Sequence, residues 1–70
     1  MNRETVMGQL EREAGYAQRS RSRDLLIETY GKAKMARQLE AITHQEFMKI
    51  NHMTVCFINT HTKELFNSVM

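Results

Sequence analysis

This chain is expected to be all-α, as a small three-helix bundle or an αα-hairpin with a crossing helix. Three observations carry that expectation. The 70 residues include no proline and only three glycines, so the punctuation of hairpins and sandwiches is missing. Apolar residues recur three and four apart along most of the chain. Three places also carry the polar residues that start helices. The length permits one domain, residues 1–70.

The first helix is predicted over about 3–18. Asn2 stands as its N-cap, and Glu4 lies in the first turn, where the helix dipole favours an acid. Val6, Leu10, Ala14 and Ala17 then draw one narrow apolar stripe. Gly8 and Gly15 lie inside this helix, nearly on one face. They mark either a weakened helix or a close approach to another backbone.

A second helix is predicted over about 23–40, with Ser22 as N-cap and Asp24 in the first turn. Leu25, Leu26, Thr29, Tyr30, Ala33, Ala36 and Leu39 form its broad face, which Gly31 interrupts without breaking. The joint "QRSRSRD" contains neither glycine nor proline. It reads either as a turn or as uninterrupted helix, and the second case gives one long helix folded against a shorter one.

The third helix is predicted over about 44–59 and has the clearest start. Thr43 stands three residues before Glu46, the spacing of a capping box, and Ile42 and Phe47 are placed to close a hydrophobic staple. Phe47, Ile50, Thr54, Phe57 and Ile58 continue its face. "MTVCFI" alone could be a buried strand, but no second convincing strand is present to pair with it. "KELFNSV" is expected to form a short last turn that packs Leu65 and Phe66 or frays.

Composition narrows the function classes. A chain this short buries only about 60% of its unfolded surface, so its stability is expected to be marginal. Cys56 is the only cysteine, which excludes a disulfide within one chain. With no N-terminal signal segment, it points to a reducing cytoplasm. No apolar run approaches the roughly 20 residues of a membrane span. The formal charge of +2 is too mild to indicate nucleic-acid binding by itself.

Residues 36–50, "ARQLEAITHQEFMKI", resemble the short helical hairpin of the SHOCT family. In that pattern a helix ends, a turn reads roughly Gly-x-Ile-Thr, and a second helix opens with an acid followed by an aromatic. Leu39, Ile42, Thr43, Glu46 and Phe47 match it, while Glu40 stands where the glycine would be. The resemblance implies an oligomerisation or interaction module and no chemistry. The chain as a whole, notably "MARQLEAITHQEFMKINHMTV", is also similar to small helical proteins of Gram-positive mobile elements.

The candidate sites follow. Residues 14–23 carry three arginines and no acid. In a continuous helix Arg12, Arg19 and Arg23 share a face beside Tyr16, the geometry of a phosphate-tracking stripe, with Arg21 close by. Otherwise these arginines are a solvated joint paired with Glu13, Asp24 or Glu28. His52 and Cys56 stand four apart, with His44 before them and His61 after, but no tight ligand pair accompanies them, so no metal is expected. Cys56 between Val55 and Phe57 reads as an inert core thiol. No phosphate loop, cofactor motif or serine elbow is present; no enzyme and no small-molecule substrate are expected. Met48, Val55 and Phe57 suggest apolar residues on more than one face of the third helix, which predicts a protein partner, most simply a second copy. Leu26, Tyr30, Phe47, Ile50, Phe57 and Ile58 are the candidate interface or core residues. The expected function is a non-enzymatic helical interaction module, with weak DNA binding through the arginines as the alternative.

Overall fold

A computed structural model of the chain describes residues 2–67, with the side chains of Glu64, Phe66 and Asn67 outside that description. Ser68 and Val69, which the expected last turn includes, lie outside the described residues. The fold is all-α. Three principal helices, α1 (Arg3–Arg19), α2 (Arg23–Gln38) and α3 (His44–Met53), are followed by two short ones, α4 (Val55–Thr60) and α5 (Thr62–Asn67). No strand occurs among the described residues, so "MTVCFI" is helical on both sides of a break.

All three predicted starts are present. The Asn2 side chain accepts the Thr5 amide at 2.8 Å and the Ser22 hydroxyl accepts that of Leu25 at 3.2 Å. At α3 both halves of the capping box form, Glu46 N to Thr43 Oγ1 at 3.1 Å and Thr43 N to Glu46 Oε1 at 2.7 Å.

The two joints share one device. At the end of α1 the Ser22 amide reaches the Ala17 carbonyl and the Arg21 amide that of Gln18; at the end of α2, Ala41 reaches Ala36 and Glu40 reaches Arg37. This is the Schellman pattern, and it needs a left-handed residue after the cap. Arg21 (φ 53°) and Glu40 (φ 60°) supply it without glycine. The joint at residues 20–22 is therefore a turn, not continuous helix. The second such turn, with Glu40 in the left-handed position, ends α2 at Gln38 rather than at residue 40.

α1 and α2 run antiparallel, and α3 returns alongside α1. One core cluster joins Met7 and Leu10 of α1, Ala33 of α2, Ile42 of the joint before α3 and Ile50 of α3, with Val6, Ala36, Phe47 and Met53 around it. The other joins Ala17, Leu26 and Leu65, bordered by Leu25, Phe57 and Ile58. The α1 stripe is as expected at Leu10, Ala14 and Ala17, with Met7 more deeply buried than Val6. Ion pairs stitch α1 to its neighbours: Arg3 to Glu46 (3.4 Å), Glu11 to Lys49 (3.4 Å) and Glu13 to Lys32 (3.0 Å).

The predicted third helix is broken in two at Thr54 (φ −115°, ψ −81°), which is fully buried. Its hydroxyl donates to the Ile50 carbonyl at 2.7 Å, the back-bond by which threonine bends helices. Its amide reaches back only three residues, to Asn51 at 3.3 Å. The Gln18 side-chain amide of α1 donates to the Met53 carbonyl at 2.8 Å. The bend occurs where α3 leaves the first core cluster, and α4 then carries Phe57 and Ile58 onto the second. The expected last turn is α5, anchored by the buried Leu65.

Candidate functional site

The arginines come first. Because α1 stops at Arg19, the expected stripe is divided: Arg12 and Arg19 lie on α1, Arg21 holds the left-handed turn position and Arg23 opens α2. The two α1 side chains fold back one turn over glycines. Arg12 Nη1 is 3.5 Å from where a Cβ on Gly8 would stand, and Arg19 Nη1 is 3.3 Å from that on Gly15. Those two glycines thus sit under guanidinium groups and not under a neighbouring helix.

Acids interleave with the cations. Arg12 and Tyr16 line a cleft of about 330 Å³ between α1 and α2, together with Glu13, Leu25, Glu28, Thr29 and Lys32. Lys32 Nζ is 3.0 Å from Glu13 Oε1 and 3.9 Å from Glu28, so one lysine stands between the two carboxylates. Hydrogen bonding to Glu13 and its charge raise the Lys32 pKa above its ordinary value. The other Glu13 oxygen is buried with no hydrogen-bond partner. Arg19 and Arg21 line a shallow depression with Gln18, Phe57 and His61.

His52 and Cys56 are separated by the Thr54 break. Asn51 Nδ2 stands 3.7 Å from the Cys56 sulfur, and the His61 ring stacks on Phe57 with centroids 4.1 Å apart. Among the described residues no three His, Cys, Asp or Glu side chains gather as a metal site, and no helix is long and apolar enough to cross a membrane.

Of the six candidate interface or core residues, Leu26 and Ile50 are fully buried within one copy. Tyr30 and Phe47 are half-buried, with ring centroids 5.7 Å apart in a tilted pair. Phe57 and Ile58 are half-buried against the second core cluster. Five of the six thus belong to or border the two core clusters, and Tyr30 packs on Phe47. Met48 and Val55 are half-buried as well, while the larger exposed apolar surface lies elsewhere.

It lies on the outside of α2. Ile27, Met35 and Leu39 are 47%, 55% and 72% exposed, with the exposed Gly31 between the first two. Leu39 was expected on the core face. It follows the last residue of α2 as its C-cap. A signal for this strip exists in the sequence: with Leu26, Thr29 and Ala33 inward, Ile27 and Met35 fall on the opposite side at 100° per residue. The chain matches no protein-family model, no curated protein and no solved structure.

Proposed function

We propose that this chain is a non-enzymatic helical interaction module of the cytoplasm that works by associating with a second copy, through the outer face of α2. One observation carries the reading. The bundle closes its core with the inner face of α2 and leaves Ile27 and Met35 uncovered on the same helix, around a glycine with nothing near it. Apolar side chains grouped on one helix face are a reason to associate, whereas single exposed ones are not. Sedimentation of the chain and of an Ile27→Gln/Met35→Gln variant tests this. The chain is expected to exceed its 8.2 kDa monomer mass as concentration rises, and the variant to remain monomeric with unchanged helicity. Equal masses for the two, each monomeric up to about millimolar concentration, reject the reading.

A second reading is contact with nucleic-acid phosphates through Arg12, Arg19, Arg21 and Arg23. The depression that Arg19 and Arg21 line with Gln18 and His61 favours it. The acids beside Arg12 and the Arg3–Glu46 pair weigh against it, since a phosphate-tracking face needs its carboxylates turned away. An amide NMR titration with a short DNA duplex, at low salt and at about 0.2 M, separates the two readings. Shifts confined to residues 12–24 that fade with salt support DNA contact, and an unchanged spectrum at low salt removes it.

A further inference from the structure

The outer face of α2 is complementary to itself. From this we infer that two copies of the chain cross at Gly31, their α2 helices pointing the same general way with a right-handed crossing of about −50°. The inference rests on the association reading above and specifies its geometry.

Ile27, Gly31 and Met35 are four residues apart, so they lie along one of the inclined i±4 rows of an α-helix. The centre of this row is low. Gly31 has no side chain, and nothing stands within 4 Å of where its Cβ would be. Partly exposed apolar side chains rise on either side of it, Ile27 at 47% and Met35 at 55%. A glycine at the crossing point lets a second backbone approach closely. Laying this row along a two-fold axis sets Gly31 against Gly31 of the second copy, Ile27 against its Ile27 and Met35 against its Met35. Running i±4 rows of the two helices parallel gives a crossing of about −50°.

The flanking charges choose the direction. Glu28 is three residues before Gly31 and Lys34 three after, which puts them about 60° to opposite sides of it at about 100° per residue. With the rows aligned in the same sense, Glu28 of each copy comes beside Lys34 of the other, twice. With the rows opposed, Glu28 meets Glu28 and Lys34 meets Lys34. The Glu28 side chain is 62% exposed and its contact with Lys32 is a loose 3.9 Å, so it can turn to a closer cation. A two-fold dimer requires each patch to be its own complement, and this patch has that symmetry about Gly31. Two or three apolar residues a side are far fewer than the roughly 20–30 of a standard interface, so the association is weak.

The test is sedimentation from about 10 µM to about 1 mM, together with oxidation of Ile27→Cys and Met35→Cys, each in a Cys56→Ser background. The mass is expected to rise from 8.2 kDa toward twice that value. Each single-cysteine variant is expected to form a disulfide with its own copy, because residues on the two-fold row face themselves. Glu28→Lys and Lys34→Glu are each expected to weaken association about three- to tenfold, and the double substitution to restore it. Ile27, Glu28, Lys34 and Met35 are exposed, so their substitution spares the bundle, and the half-buried Cys56→Ser change is common to both cysteine variants. A dimer in which neither variant cross-links alone, while a mixture of the two does, overturns this crossing and leaves self-association standing. A chain that stays at 8.2 kDa throughout overturns both.

Discussion

Leu26 and Ile27 are neighbours on α2, yet one is fully buried and the other 47% exposed. The same contrast runs the length of the helix. Leu26, Thr29 and Ala33 face the bundle; Ile27, Gly31 and Met35 face away from it. An inner face is constrained by volume, since its atoms touch others on every side. The outer face carries no such demand in one copy, which leaves it free to be shaped by a partner. The difference teaches that hydrophobicity alone does not assign a residue to a core: Ile27 is as apolar as Leu26, and only its angle on the helix separates them.

The largest expected effect breaks the inner face. Leu26→Ala should cost about 3 kcal/mol, a large share of the stability of a chain this size, whereas Ile27→Gln should cost under about 0.5 kcal/mol in the monomer. Urea unfolding of the two variants at low concentration measures both, and similar losses would erase the distinction between the faces. Next comes the bond that holds the bend beside the inner face. Gln18→Leu leaves the Met53 carbonyl without its donor and should cost about 1–2 kcal/mol, with faster amide exchange across residues 53–58.

Gly31→Ala sharpens the comparison because its two consequences have opposite signs. Alanine meets nothing within 4 Å, so the monomer should gain about 0.5–1 kcal/mol, while a methyl at the crossing should weaken association. Thermal unfolding at low concentration and sedimentation at high concentration read the two separately. Glu40→Gly, at the end of the same helix, removes a side chain from a left-handed position. It should stabilise by up to about 1 kcal/mol in the same thermal assay.

The smallest effect is one of pH at the edge between the faces. The Lys32 pKa is raised above its ordinary 10.5 in the fold, chiefly by the hydrogen bond to Glu13. The folded state therefore holds this proton more tightly than the unfolded one. Its contribution is present in full below 10.5 and is lost as pH rises through the folded value. A small fall in stability above that pH, absent in Glu13→Gln, is the expected result of a denaturation series.

Where the principal helices begin is written in local sequence. Asn2, Ser22 and the Thr43–Glu46 pair are local devices, satisfied within a few residues of backbone, so their outcome does not depend on the rest of the chain. Leu10, Ala14, Ala17, Leu26, Ala33 and Ile50 were legible from their three- and four-residue spacing, which marks one face of each helix. The stops were less legible. Arg21 and Glu40 take a conformation that glycine usually marks, and a side chain there conceals the turn. Hence the joint at residues 20–22 reads either as turn or as helix in sequence, and the turn divides the stripe that Arg12, Arg19 and Arg23 would share in a continuous helix.

Only the tertiary structure decided the break at Thr54 and the course of α4. Threonine at a helical apolar position gives no warning of a bend. Here a carbonyl freed in α3 is met by Gln18, 35 residues earlier in the chain, and Phe57 and Ile58 gain a core by turning. The outer ridge of α2 has the same origin. Its residues are plain in the sequence, but their exposure depends on which sides of α2 the other helices cover, a non-local choice made by whichever contacts bury the most apolar surface.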